Sequence, residues 1–311
     1  MLTKIKNFYA KRKGYYFFQI GFFVLLGLFA VTVWANYDYW VFKILIAQNY
    51  YCTNTLDEFY AMHIREENRR GFLRDFDRVV ISSVTAQLTS INNDRYTYLY
   101  APQEITASID ANRAAARRAT IEAFDDETVY LFLPNISIAT QRFVRENREE
   151  LAQYSVLILD LRGNWGGFIP SFHRTADLFV PRGEILSRQD ARLLSYTRAS
   201  RGDAFFDFER IIILQNGRTA SAAESLILAI SEHVPEVITV GEQTFGKGVG
   251  QVTIPLTGGY ALRATVLNVL GPDGRSINQV GIPPDVEFIF EQNTDLFEIL
   301  SVFMHNNSIS H

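Results

Sequence analysis

Residues 154–168 read YSVLILDLRGNWGGF. Four apolar residues, Val156 to Leu159, run without a polar interruption. A strand with one wet face alternates apolar and polar residues, whereas a strand covered on both faces is apolar throughout. The run therefore predicts a strand inside a layered α/β core. Asp160 and Arg162 at its end suit an ion pair that steadies the following turn. The turn contains Gly166 and Gly167. Paired glycines expose backbone N–H groups with no side chain in the way. That suits an oxyanion donor, or a place where a peptide lies along the backbone.

The pattern continues on both sides. ETVYLFLP (127–134), RIIILQN (210–216) and VITVGEQ (237–243) are short and β-rich. ATQRFVRENREELAQ (139–153), PSFHRTADLFV (170–180) and SAAESLILAISEH (221–233) read as helices. QVTIPLTGGYALRATVLNVL (251–270) predicts a hairpin turning at Gly258 and Gly259. Strands alternating with helices define an α/β fold. Residues 41–125 differ and read as mainly helical. DEFYAMHIREENRRGFLRDFDRVVISSVTAQL (57–88) has three- and four-residue apolar spacing, and DANRAAARRATIEAF (110–124) is rich in Ala and Arg. NNDRYTYLYAPQE (92–104) joins them as a polar, aromatic connection.

Residues 1–13 carry five positive charges and no acid, and residues 14–37 carry no charge. About 20 residues span the bilayer hydrocarbon, so this stretch suffices for a transmembrane anchor. Tyr15, Tyr16, Trp34 and Tyr37 mark its ends as interfacial aromatics do, and the basic flank predicts a cytoplasmic N-terminus with the rest of the chain outside. A signal peptide with Val33 and Ala35 before the cleavage point is the alternative, but the apolar run is longer than the usual ~7–15 residues.

The chain has 311 residues, 48% hydrophobic, with a formal charge of −4. That size supports one sizeable core or two small ones, and the charge argues against a nucleic-acid partner. A single cysteine, Cys52, excludes a disulfide framework and a Cys-rich metal site. The five histidines lack metal-ligand spacing, so a structural or catalytic zinc is not expected.

The basic residues hold one anomaly. Of thirty Lys plus Arg, six are lysines, and five of those lie in the first 43 residues. Lys247, in TFGKGVGQ (244–251), is the sixth. Arginine stays protonated at any workable pH, whereas lysine accepts a proton once burial lowers its pKa from ~10.4. The surrounding Gly, Phe and Val suit such a shift. Gln251 can orient the amine through its side-chain carbonyl. In NGRTASAAESLILAI (216–230), Ser221 stands where a loop enters a helix. An N-cap role fits it; so does that of a nucleophile flanked by unpaired first-turn amides. A serine needs a base. His233 falls at the far end of the helix that Ser221 begins and suits the helix C-terminus, and His173 has no triad spacing, which leaves Lys247.

The segments LILDLRGNWGG, NGRTASAAE and TFGKGVGQ together resemble the carboxyl-terminal processing proteases, the tail-specific serine peptidases of family S41. GIPPDVEF (281–288) and DRYTYLYAPQE (94–104) are similar to further family segments. The resemblance implies a ClpP- or crotonase-like α/β core without metal or cofactor. It implies Ser221 as nucleophile, Lys247 as general base, Gln251 as its orienting partner, and the backbone N–H groups of Gly167 and Ala222 as oxyanion donors. Trp165 stands where the family often has Pro. Family members typically carry a PDZ domain of about 80–100 residues. Tyr100 and Val129 are too close in sequence to hold one, so a separate adaptor or proximity at the membrane would select protein or peptide substrates.

The resulting expectation is a basic cytoplasmic tail (1–13), a membrane anchor (14–37), a mainly helical region without a PDZ domain (38–125), an S41 core (126–290) and a tail (291–311). A single-pass cell-membrane serine endopeptidase with its catalytic domain outside the cytoplasm fits best. A silent S41-like module that binds peptides or apolar ligands is the second reading. An acyl-CoA enzyme on a related fold conflicts with the secretory anchor.

Overall fold

The computed structural model describes residues 2–52 and 78–290. The chain forms two compact units. One comprises the residues up to Pro102 with Gln251–Thr265; the other comprises Gln103–Gly250 and the residues from Val266 onward.

The larger unit is built on six strands: β2 (Thr120–Ala123), β3 (Thr128–Phe132), β4 (Val156–Asp160), β7 (Arg210–Gln215), β8 (Val237–Gly241) and β11 (Val286–Glu287), in spatial order β11-β8-β7-β4-β3-β2. All neighbours are parallel except the antiparallel pair β2–β3. The strand predicted from VLILD is β4, at the interior of this sheet. Its side chains alternate between two apolar clusters. Leu157 and Leu159 join the larger one, with Leu226, Ile227 and Ile230 of the helix Ala222–His233. Ile158 joins Ile212, Leu214 and Val240 on the opposite face, where Tyr130, Phe288 and Phe290 cover them. Each fully buried Leu or Ile contributes about 1.5–3 kcal/mol relative to exposure, so a strand buried on both faces needs no polar position.

The same unit holds the helices Gln103–Ala116 (the first helix residue, Pro102, lies in the other unit), Ile138–Glu146, Arg148–Leu151 and Ile169–Ala176. The hairpin of β5 (Ile185–Ala191) and β6 (Ser195–Ala199), which the sequence reading did not resolve, pairs through β5 with residues 267–270 of β10 (Ala261–Leu270). One expectation is corrected. The helix predicted through Phe124 ends at Ala116, and Thr120–Ala123 is a strand. Thr120 and Ile121 are β-branched and pair with Phe132 and Leu131. The ladder outweighs the local helical bias, which is only a weak preference.

In the smaller unit α1 (Leu2–Ala35) and α2 (Tyr37–Phe42) are followed by a π-helical turn, Lys43–Gln48. Arg78–Asn92 is helical, and Tyr98–Tyr100 forms β1, antiparallel to β10 residues 261–263. The 92–104 connection is thus partly strand. β9 (Val249–Pro255) and β10 form the predicted hairpin, with Thr257–Gly259 as its turn. The buried Asp94 accepts hydrogen bonds from Tyr50 Oη (3.0 Å), Thr97 Oγ1 (2.7 Å) and Thr265 Oγ1 (3.1 Å). The helix expected over residues 57–88 is described only from Arg78, and the tail 291–311 lies outside the described residues.

Candidate active site

Strand β7 ends at Gln215, and the helix begins at Ala222. The loop between them is tied to the loop after β4. Asn216 Oδ1 accepts from the Gly163 N–H (3.0 Å), Thr219 Oγ1 donates to the Leu161 carbonyl (2.8 Å), and the Ala220 N–H donates to the Asn164 carbonyl (2.8 Å). Ser221 emerges from this loop with φ 57° and ψ −121°. Such a backbone costs a non-glycine residue on the order of 1–3 kcal/mol and persists only where its surroundings enforce it.

The glycine pair lies against the serine. A Cβ on Gly166 would come 2.4 Å from the Ala220 carbonyl oxygen and 2.8 Å from both the Ala222 nitrogen and Ser221 Cβ. A Cβ on Gly167 would come 2.1 Å from the Ile136 carbonyl oxygen. Both glycines also have positive φ, 82° and 149°. The Ile136 N–H donates to the Gly166 carbonyl (2.9 Å), and the Phe168 N–H donates to the Ile136 carbonyl (2.8 Å). In such a parallel bridge the intervening Gly167 N–H points the other way. Asn164, fully buried, fixes the turn: its side chain donates to the Leu133 carbonyl (2.7 Å) and accepts from the Gly166 N–H (2.9 Å).

The lysine loop joins the same cluster through Glu224, which the sequence reading passed over. Glu224 sits in the first turn of the helix and has no solvent exposure. Its Oε2 accepts from the Ser221 N–H (2.6 Å) and the Lys247 N–H (2.9 Å). Its Oε1 accepts from Thr244 Oγ1 (2.6 Å) and the Gly246 N–H (2.8 Å). A buried carboxylate is costly unless such donors surround it. The signal was available: Ser221 and Glu224 have the S-x-x-E spacing of a capping box. The Phe245 N–H also donates to the Thr219 carbonyl (2.9 Å), and Trp165 meets the Phe245 ring edge-on at 5.7 Å.

Ser221, Lys247, Gly167 and Ala222 thus belong to one unit, with Ser221 and Lys247 tied to one carboxylate. Gln251 is half-buried on β9, in the other unit. Asp160 and Arg162 form the expected pair, with Nη2–Oδ2 at 2.6 Å, and Tyr130 Oη donates to Asp160 at 2.7 Å. His233 ends the helix, with Nε2 2.8 Å from the Ile185 carbonyl oxygen. His173 is buried beside Ser187 and Gln189. Burial, aided by the Arg198 charge, lowers its pKa from 6.5 to about 4. Among the described residues no group of three or more His, Cys, Asp or Glu is arranged to hold a metal.

Strained Ser221, the double-glycine turn and the lysine loop thus gather beside the ends of strands β4 and β7 of a mainly parallel sheet. The chain belongs to peptidase family S41, whose family model matches residues 127–288. It is 31% identical over 160 residues to a chloroplastic C-terminal processing peptidase of Tetradesmus obliquus, covering 51% of this chain and 34% of that protein. It is 40% identical over 131 residues to a carboxy-terminal-processing protease of Bartonella bacilliformis, covering 42% and 30%. The matched part thus spans about a third of the length of these curated relatives. Two solved structures share the fold over most of both chains. A Streptococcus agalactiae lipoprotein has a TM-score of 0.62 at 17% identity, covering 85% of this chain and 93% of that one. A putative peptidase of Parabacteroides merdae has a TM-score of 0.54 at 14% identity, covering 89% and 96%.

Proposed function

We propose that this chain is a membrane-anchored serine endopeptidase that hydrolyses peptide bonds of protein substrates outside the cytoplasmic membrane. The observation that carries this reading is the shared Glu224 oxygen, which holds the backbones of Ser221 and Lys247 together beside the Gly166–Gly167 turn. Ser221 Oγ attacks the scissile carbonyl, and Lys247, oriented by Gln251, takes the hydroxyl proton and returns it to the leaving amine. The N–H groups of Gly167 and Ala222 receive the developing oxyanion. An acyl-enzyme forms, and a water molecule, deprotonated by Lys247, releases it. Protein or peptide substrates follow from the family and its relatives' names.

Tyr15–Ala35 is helical, apolar, long enough to cross a membrane and unburied throughout. This supports residues 14–37 as the anchor, the five positive charges of residues 1–13 favour a cytoplasmic flank, and the family match over residues 127–288 supports 126–290 as the peptidase core, with 38–125 as the helix-rich region and 291–311 as the tail. The connection from β1 to β2 is one helix, so substrate delivery falls to an adaptor or to proximity at the membrane.

The test is labelling of the detergent-solubilised chain with a fluorophosphonate, alongside turnover of an unstructured peptide. Wild type should label and cleave. Ser221→Ala, Lys247→Ala and Lys247→Arg should do neither, because a guanidinium cannot accept the serine proton, and Gln251→Ala should retain weaker turnover. Near-normal turnover in Lys247→Arg would refute the dyad. An unlabelled, inactive wild type that still binds peptide would establish the binding-module reading instead.

A further inference from the structure

We propose that the Arg218 guanidinium, held over the exposed ring of Trp165 beside the candidate site, binds a carboxylate of the peptide substrate within about five residues of the scissile bond. The inference rests on the peptidase reading and adds a charge preference to it.

Trp165 and Arg218 lie on two loops that are tied together within the same unit as Ser221 and Lys247. The N–H groups of Gly163 and Arg218 both donate to Asn216 Oδ1 (3.0 and 3.1 Å), and the Ala220 N–H donates to the Asn164 carbonyl (2.8 Å). The guanidinium carbon of Arg218 stands 6.0 Å from the centre of the Trp165 ring. At that range an aromatic face attracts a cation. Phe245, two residues before Lys247, meets the same ring edge-on at 5.7 Å, and its N–H donates to the Thr219 carbonyl (2.9 Å). The indole is therefore placed by contacts from both the serine loop and the lysine loop.

These contacts leave the pair open to solvent. Trp165 is 56% exposed, unusual for a side chain that is well buried on average, and Arg218 is exposed as well. Among the described residues no carboxylate lies within ion-pair distance of the Arg218 guanidinium. Glu224, the acid nearest to it in sequence, is buried and already accepts from four donors. A guanidinium presents its donors in a planar fork that matches a carboxylate. The indole beside it offers an apolar face to the methylene groups of an acidic side chain.

The pair is within reach of a bound peptide. Arg218 precedes Ser221 by three residues, so their Cα atoms are at most about 11 Å apart, and the extended arginine side chain adds about 6 Å. Trp165 adjoins Gly166, on which a Cβ would come 2.8 Å from Ser221 Cβ. The guanidinium thus stands within about 17 Å of the Ser221 backbone, a distance that an extended peptide covers in about five residues. A peptide with its scissile carbonyl at Ser221 Oγ can set a residue on this ledge in one of its two directions.

The test measures kcat/KM of the detergent-solubilised full chain on end-capped peptides. All share one cleavable sequence and carry a single Glu, Gln or Lys at successive positions on either side of the scissile bond. An exposed ion pair changes an equilibrium by up to about fivefold. In wild type, Glu should therefore exceed Gln about three- to fivefold at one or two positions on one side, and about 0.5 M NaCl should bring that ratio below about 1.5. Arg218→Gln should lose the preference, Trp165→Leu should weaken it, and Arg218→Glu should favour Lys over Gln at the same position. Each ratio is taken within one enzyme, so a change in overall turnover does not alter it. A further pair of peptides ends at the preferred position with a free or an amidated C-terminus; a gain from the free end assigns the subsite to chain ends as well as to acidic side chains. Glu-to-Gln ratios below about 1.5 at every position in wild type, or an unchanged ratio in Arg218→Gln, would overturn the proposal. No turnover of any peptide by wild type would instead refute the peptidase reading and remove the subsite with it.

Discussion

Ser221 and Lys247, 26 residues apart in sequence, donate their backbone N–H groups to the same atom, Oε2 of Glu224. The helix that follows Ser221 and the lysine loop are thereby registered by one buried carboxylate, with Thr244 and Gly246 held by its other oxygen. Glu224→Gln should lower kcat by 10- to 100-fold with little change in KM, because the amide NH₂ turns a donor toward groups that are themselves donors. Thermal unfolding should also come earlier, since each unsatisfied buried donor costs about 1–3 kcal/mol. Steady-state kinetics and a melting curve on the same preparation check both. Wild-type kcat in Glu224→Gln would show that the registration is dispensable.

Gly167→Ala should abolish turnover. Its Cβ would overlap the Ile136 carbonyl, and φ 149° is unfavourable for alanine. Relief requires the turn to move, which displaces the Gly167 N–H from the position proposed for the oxyanion. Loss of one such donor costs about 10²–10³ in kcat. Gly166→Ala should fail similarly, by pushing on Ala220 and Ser221. Peptide turnover above a tenth of wild type in both variants would count against this placement.

His173 makes stability depend on pH. Its folded pKa, about 4, is below the ordinary 6.5, so the unfolded chain binds a proton between those values and the native chain does not. Stability should therefore fall as pH falls from about 6.5 to 4, and be unaffected by this group above 6.5. The full effect is on the order of 3 kcal/mol. Urea denaturation of wild type and His173→Gln across this range should show the difference between them narrowing or reversing toward low pH. A difference independent of pH would mean that His173 titrates normally.

Topology is checked with reporters fused after His311. A reporter active only outside the cytoplasm should be active if the basic residues 1–13 set the proposed orientation. Activity solely of a cytoplasmic reporter would invert the orientation. Loss of the first 35 residues from the mature protein would show a cleaved signal peptide.

The sequence by itself determined the layered α/β core, because an uninterrupted apolar run such as Val156–Leu159 is stable only where both faces are covered. It also marked Ser221, Lys247 and the Gly166–Gly167 turn as candidates, since a hydroxyl, an amine and bare backbone are properties of residue type. It did not reveal that Thr120–Ala123 leaves a helical pattern for a strand, because that outcome depends on the free edge of β3. Nor did it assign Glu224 and Asn164, whose roles come from partners brought together across the fold: the Lys247 N–H and the Thr244 hydroxyl for one, the Leu133 carbonyl and the Ala220 N–H for the other. A side chain's chemistry is legible locally. Which distant backbone groups it must satisfy is decided only when burial removes water as the alternative partner.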